Sequence, residues 1–172
     1  SESFEPGGGF PPAGWTSTTA GFGNTWGPGT GHDGDTAIVA DGPGASSHQD
    51  EYLITPTLDC STSSGTQLTF WNYFYRSTIS GDSTAQVLGS IDDGATYPYE
   101  LANWQLTVSS GDQAFDISSW ADGQSQVKIA FRFSSTDTTN DYDDWEIDDV
   151  YVGSIAETVI WCEGFETVQP ET

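Results

Sequence analysis

The chain has 172 residues, with 26 Asp and Glu against three Lys and Arg, a net charge of −23, and seven Trp in an aromatic content of 13%. That aromatic load excludes a disordered acidic tail, and the length suits a single domain with a sizeable core. The missing basic footprint excludes nucleic acid and anionic membrane surfaces as partners, and no stretch approaches the roughly 20 apolar residues of a membrane span.

In chain order, residues 6–34 are rich in Gly and Pro and are read as long loops. After them, apolar residues alternate or run in short blocks bounded by Gly, Pro, Asn and Asp, the pattern of strands rather than helices. The predicted strands are "DTAIVA" (35–40), "EYLITPTL" (51–58), "QLTFWNYFYR" (67–76), "TAQVLGSI" (84–91), "NWQLTV" (103–108), "AFDIS" (114–118), "QVKIAFRF" (126–133) and "WEIDDVYV" (145–152). Asp93-Gly94 supplies a hairpin turn. Many short strands at this spacing predict an all-β fold, a β-sandwich of jelly-roll topology with antiparallel sheets.

Two strands carry the functional signal. In "QLTFWNYFYR" both faces are apolar, so one aromatic set lies outside a sheet, covered by a loop or open to a ligand. In "WEIDDVYV" period-two alternation points one Asp toward whichever face is the core. A bulge at Asp148-Asp149 changes the phase, yet on this reading it does not remove the problem. A buried carboxylate costs several kcal/mol unless compensated, and three basic residues are too few to be the general answer. Ca2+ is the economical partner, because it gathers carboxylates and backbone carbonyls in one shell of six to eight oxygens.

"SESFE", "FPPAGW", "DEYLITPTLD", "QLTFW", "VKIAFRFSSTD" and "WEIDDVYVG" follow one another over residues 1–153. This ordered set resembles the cleaved-adhesin domains of gingipain-type haemagglutinins and the choice-of-anchor J domains, distant relatives of MAM domains. The resemblance implies a calcium-binding jelly roll appended to secreted enzymes or surface adhesins, one that binds rather than catalyses. It nominates Glu5 and Asp148 as calcium ligands, with Asp33 or Asp35 from "HDGDTAIVA" and Asp50 as further candidates. Against it stand the ordinary readings: Asp33 and Asp35 also suit a Gly-rich turn, and Asp92 and Asp93 suit the hairpin alone. Cys60, where an aliphatic residue is more usual, departs from the family pattern.

No GxSxG elbow or HExxH helix is present, so no enzyme is expected. Carbohydrate is the expected partner, with Trp26, Trp71, Tyr73, Tyr75, Tyr99 and Trp104 as candidate stacking residues and Arg76 as a hydrogen-bond donor. The alternative is an adhesin that contacts a cell-surface protein, or a spacer. Cys60 and Cys162 fit no metal-binding spacing; they can pair in an oxidising compartment, or Cys60 can be a small core residue. The absence of Met suggests a chain excised from a larger parent and covalently linked there to other domains, secreted or held at the cell surface. Residues 1–153 are read as the module and 154–172 as a tail or the start of a tandem repeat, since "CEGFE" echoes "SESFE".

Overall fold

A computed structural model describes residues 2, 4, 9–21, 24–30, 32, 34–40, 49–76, 83–105, 108–135 and 143–154. Among the described residues ten strands form two antiparallel five-stranded sheets, and the fold is a jelly-roll β-sandwich. The first sheet has the order β1 (Thr16–Gly21), β4 (Gln49–Ile54), β9 (Lys128–Ser135), β6 (Thr84–Ser90), β7 (Tyr99–Trp104). The second has the order β2 (Gly27–Thr30), β3 (Asp35–Ala40), β10 (Asp144–Ser154), β5 (Thr66–Tyr75), β8 (Ser109–Asp116). A single helical turn, α1 (Ser118–Ala121), precedes β9, and no helix among the described residues is long and apolar enough to cross a membrane.

The inward faces are those that alternation predicts. Phe131 and Phe133 of β9 and Leu53 of β4 meet Phe70 and Phe74 of β5 and Trp145 of β10, all buried. Phe131 stands edge-on to Phe70 at 5.1 Å and packs against Trp145 at 5.9 Å, so the two sheets interlock through aromatic rings. Inside this core the Trp145 indole N–H donates to Asn72 Oδ1 at 2.7 Å, which satisfies the buried amide. At one end α1 plugs the sandwich: Trp120 lies so close to Gly89 that a Cβ there would sit 2.5 Å from its ring.

Three expectations are corrected. The segment read as loops contains two strands, β1 and β2. Both are edge strands of Thr, Gly and Pro, where Pro28 costs little because an edge strand can spare an N–H, and neither carries an apolar alternation to read. The strand predicted at 103–108 lies earlier, because Gly89 pairs with Tyr99 and Ala85 with Trp104. The third concerns the acidic strand. Its register against β5 shifts between Asp148 and Tyr151, with Asp149 in the left-handed region at φ 51°. This bulge places Trp145, Ile147 and Val150 inward while Asp149 turns outward and is exposed. One of the two problematic carboxylates is thereby released to solvent, and only Asp148 remains buried.

Candidate functional site

The outer face of the second sheet is built by two neighbouring strands. On β5 the residues between the core-facing Leu68, Phe70, Asn72 and Phe74 are Trp71, Tyr73 and Tyr75, and they point outward. Trp71 and Tyr73 lie 6.3 Å apart, centroid to centroid, and Tyr73 and Tyr75 6.4 Å, with interplanar angles of 10° and 5°. The three rings form one nearly parallel row, half-exposed along its length, with Tyr75 39% exposed at one end. His32 stacks on Trp71 at the other end, at 4.4 Å.

A row of carboxylates runs beside the rings. In the β5–β10 register Asp148 is opposite Trp71, Glu146 opposite Tyr73 and Asp144 opposite Tyr75. Burial, with the neighbouring Glu146 and Asp143 carboxylates, pushes the Asp144 carboxyl up to about 6. Burial also raises Glu146, against a hydrogen bond of 3.2 Å from the Thr36 hydroxyl. Tyr73 is held protonated, first by burial and then by the charges of Asp144 and its other neighbours. Beyond the acidic row, β3 borders an open cleft of about 490 Å3 lined by Asn24, Thr25, Gly27, Ile38 and Ala40. Ala40 and Ile38 are the cross-strand partners of Asp144 and Glu146.

Where the acidic row meets the bulge, His32, Asp148 and Asp149 gather. Their ligand atoms lie within 4.8 Å of one another. His32 Nδ1 is 3.8 Å from Asp148 Oδ2 and 3.8 Å from Asp149 Oδ2. Asp148 Oδ1 also accepts the Asp149 backbone N–H at 2.7 Å. The two carboxylates suit a hard cation, whereas calcium takes oxygen donors and has little use for an imidazole nitrogen. Glu2 pairs with Val150 through backbone bonds of 2.8 and 2.7 Å, so Glu2 lies beside β10 just past the bulge.

The candidates read from sequence separate accordingly. Trp71, Tyr73 and Tyr75 come together on one open face. Trp26 does not: it is 2% exposed and packs on Trp145 at 5.3 Å. Trp104 turns edge-on to the same indole at 6.1 Å, and Tyr99 stacks on Trp120 at 4.4 Å. These three aromatics serve the core and its rim. Arg76 is no surface donor either; its side chain is 5% exposed, lies 3.7 Å from the buried Asp143 and donates to the Gln105 carbonyl. Asp50 stands on the first sheet, where both carboxylate oxygens accept from Arg132 at 2.6 and 3.1 Å, apart from Asp148 on the second. Glu5, Asp33 and Cys162 lie outside the described residues, as does the side chain of Asp35, while Cys60 is buried. The tail expected at 154–172 is described only at Ser154, the last residue of β10.

Sequence reasoning placed none of Asp144, Glu146 and Asp149 in the carbohydrate-binding set. The signal for the first two was present, since Asp144, Glu146 and Asp148 share a period-two face. The register that sets them beside the aromatic row is a cross-strand property and has no local signature.

The fold and this face define a jelly-roll sandwich that presents an aromatic and acidic strip on one sheet. No protein-family model matches the chain, and no curated protein is significantly similar to it. Among solved structures, the K1 cleaved adhesin domain of Lys-gingipain from Porphyromonas gingivalis W83 has a TM-score of 0.65 at 23% identity, over 90% of this chain and 97% of that one. The K3 domain of the same protein has a TM-score of 0.64 at 23% identity, with the same coverage of both chains. TmCBM61, solved in complex with beta-1,4-galactotriose, has a TM-score of 0.50 at 14% identity, over 90% of this chain and 100% of that one. At these identities the likeness establishes the fold: this chain has the architecture of the cleaved adhesin domains.

Proposed function

We propose that this domain is a non-catalytic, extracellular binding module that recognises carbohydrate on the outer face of its second sheet. The observation that carries the proposal is the half-exposed row Trp71–Tyr73–Tyr75, with a carboxylate in register beside each ring. Such a row offers flat apolar surfaces to the C–H faces of sugar rings, and the half-buried Asp144 and Glu146 accept hydrogen bonds from their hydroxyls. The row is long enough for several consecutive sugars, which favours a polysaccharide chain over a single residue. TmCBM61, with the same fold, was solved with a galactotriose, which supports the carbohydrate reading. The cleaved adhesin domains support a role at the cell surface or in a secreted parent.

Calcium belongs to the same proposal as a structural ion. Asp148 and Asp149 are the fitting donors at the bulge, and an ion there would neutralise the one carboxylate of β10 that the fold buries. The ion has no step to perform; it would hold the bulge in place.

The deciding experiment is binding to a panel of soluble polysaccharides by affinity electrophoresis, in calcium and in EDTA. Wild type is expected to be retarded by at least one glycan. Trp71→Ala and Tyr73→Ala should each weaken binding by roughly 30-fold, the loss typical of an aromatic anchor worth about 2 kcal/mol. Trp26→Phe should leave binding unchanged, because Trp26 is inside. Silence across the panel by a folded protein would sink the carbohydrate reading and leave the protein-adhesin or spacer role.

A further inference from the structure

The acidic row says more than that hydroxyls are welcome. We propose that the strip takes a cationic glycan, a β-linked polysaccharide bearing protonated amino groups, with sugar rings on Trp71, Tyr73 and Tyr75 and ammonium groups on Asp144 and Glu146. The inference rests on the carbohydrate reading above and adds the charge of the substrate.

The charge inventory leads there. The chain has three basic side chains, and each has a carboxylate partner of its own. Arg76 lies against Asp143, Lys128 against Asp93 at 3.1 Å and Arg132 against Asp50. Among the described residues none is paired with Asp144 or Glu146, whose surroundings contribute burial and, at Asp144, further carboxylates, with a hydrogen bond from the Thr36 hydroxyl at Glu146. Asp144 Oδ1 is buried and accepts no hydrogen bond among the described residues. A neutral sugar can donate to the half-buried Asp144 and Glu146 side chains but cannot relieve the repulsion between carboxylates two residues apart on one strand. An ammonium does both. Uronate or sulfate groups would add negative charge to a protein of net charge −23 and are disfavoured without a bridging cation.

The register makes the fit specific to a chain. On the outer face Glu146 is paired with Tyr73 and Asp144 with Tyr75, while Asp148, beside Trp71, is buried at the bulge. A polymer lying along β5 meets both chemistries at two consecutive rings. A small diffusible amine would use one.

The test is calorimetric titration of the full chain at pH 6 in EDTA. Two probes differ only in charge: a β-1,4-linked glucosamine hexamer and its fully N-acetylated counterpart. The glucosamine hexamer should bind about tenfold more tightly, and Glu146→Gln should remove most of that margin, the effect of one charge-assisted contact. Glu100→Gln deletes the same charge from β7 of the first sheet and should leave the margin intact. Equal affinity for the two hexamers, or equal loss in both variants, overturns the inference while leaving the carbohydrate reading standing. So does binding of some other panel glycan with neither hexamer bound, or binding that vanishes in EDTA. If the folded protein binds no glycan at all, both fall.

Discussion

At the scale of single residues, the second sheet's outer face keeps like charges together where folding alone would separate them. Asp144 shows the cost. Its folded-state carboxyl titrates at about 6, above the 3.8 of an unperturbed Asp. A raised acid pKa means that the folded state holds the proton more tightly than the unfolded one. The sign is therefore that stability falls as pH rises from about 4 to about 6 and is flat beyond. Asp144→Asn removes the effect, so its melting temperature should exceed wild type by more at pH 7 than at pH 4.5. The side chain is only half-buried, and solvent screening trims the gain at pH 7 to on the order of 1 kcal/mol. A mutant no more stable at pH 7 than at pH 4.5 would contradict this account. A residue that weakens the fold while facing an open aromatic row is what a binding site looks like energetically.

At the scale of elements, the bulge in β10 matters most. Without it, Val150 would face outward and Asp149 would enter the core. With it, Trp145, Ile147 and Val150 are all buried. The device needs one residue in the left-handed region, and Asp149 occupies it at φ 51°. Asp tolerates that conformation better than most side chains, and Gly tolerates it best. Asp149→Gly should therefore be neutral or stabilising by a few tenths of a kcal/mol in calcium-free buffer, and Asp149→Ala destabilising by about 1 kcal/mol. Chemical denaturation in EDTA measures both. Equal effects of Gly and Ala would mean that the backbone conformation is not what Asp149 supplies. β5 shows the complementary economy: one strand of ten residues gives the core Leu68, Phe70 and Phe74 and gives the surface Trp71, Tyr73 and Tyr75.

At the scale of the whole molecule, a net charge of −23 makes the medium part of the fold. The Debye length drops from about 30 Å at 0.01 M salt to about 3 Å at 1 M, so added NaCl should raise the melting temperature steadily over that range. Calcium should do more than salt. A single structural ion at about 100 times its dissociation constant adds ~2.7 kcal/mol. That corresponds to roughly 5–10 °C for a chain of this size. Melts in calcium and in EDTA at matched ionic strength separate the two effects. If the curves coincide, the domain holds no structural calcium, and Asp148 must be accommodated by the protein alone.

Composition and alternation determined the fold class of this protein: a chain with period-two apolar faces and turn residues between them is a β-sandwich. The outward aromatic set of β5 was legible for the same reason, since in a strand both faces are written in one line of sequence. Edge strands β1 and β2 were not legible, because edges need no apolar face. Nor were the inward positions of Trp26 and Trp104, whose local sequences resemble those of exposed Trp. The roles of the carboxylates were decided only by tertiary structure. Asp50 went to Arg132, Asp143 to Arg76, Asp148 to the bulge, and Asp144 and Glu146 to the side of the aromatic row. An Asp has the same local propensity in each of these settings. What distinguishes them is cross-strand register and sheet assignment, which residues far apart in the chain set together.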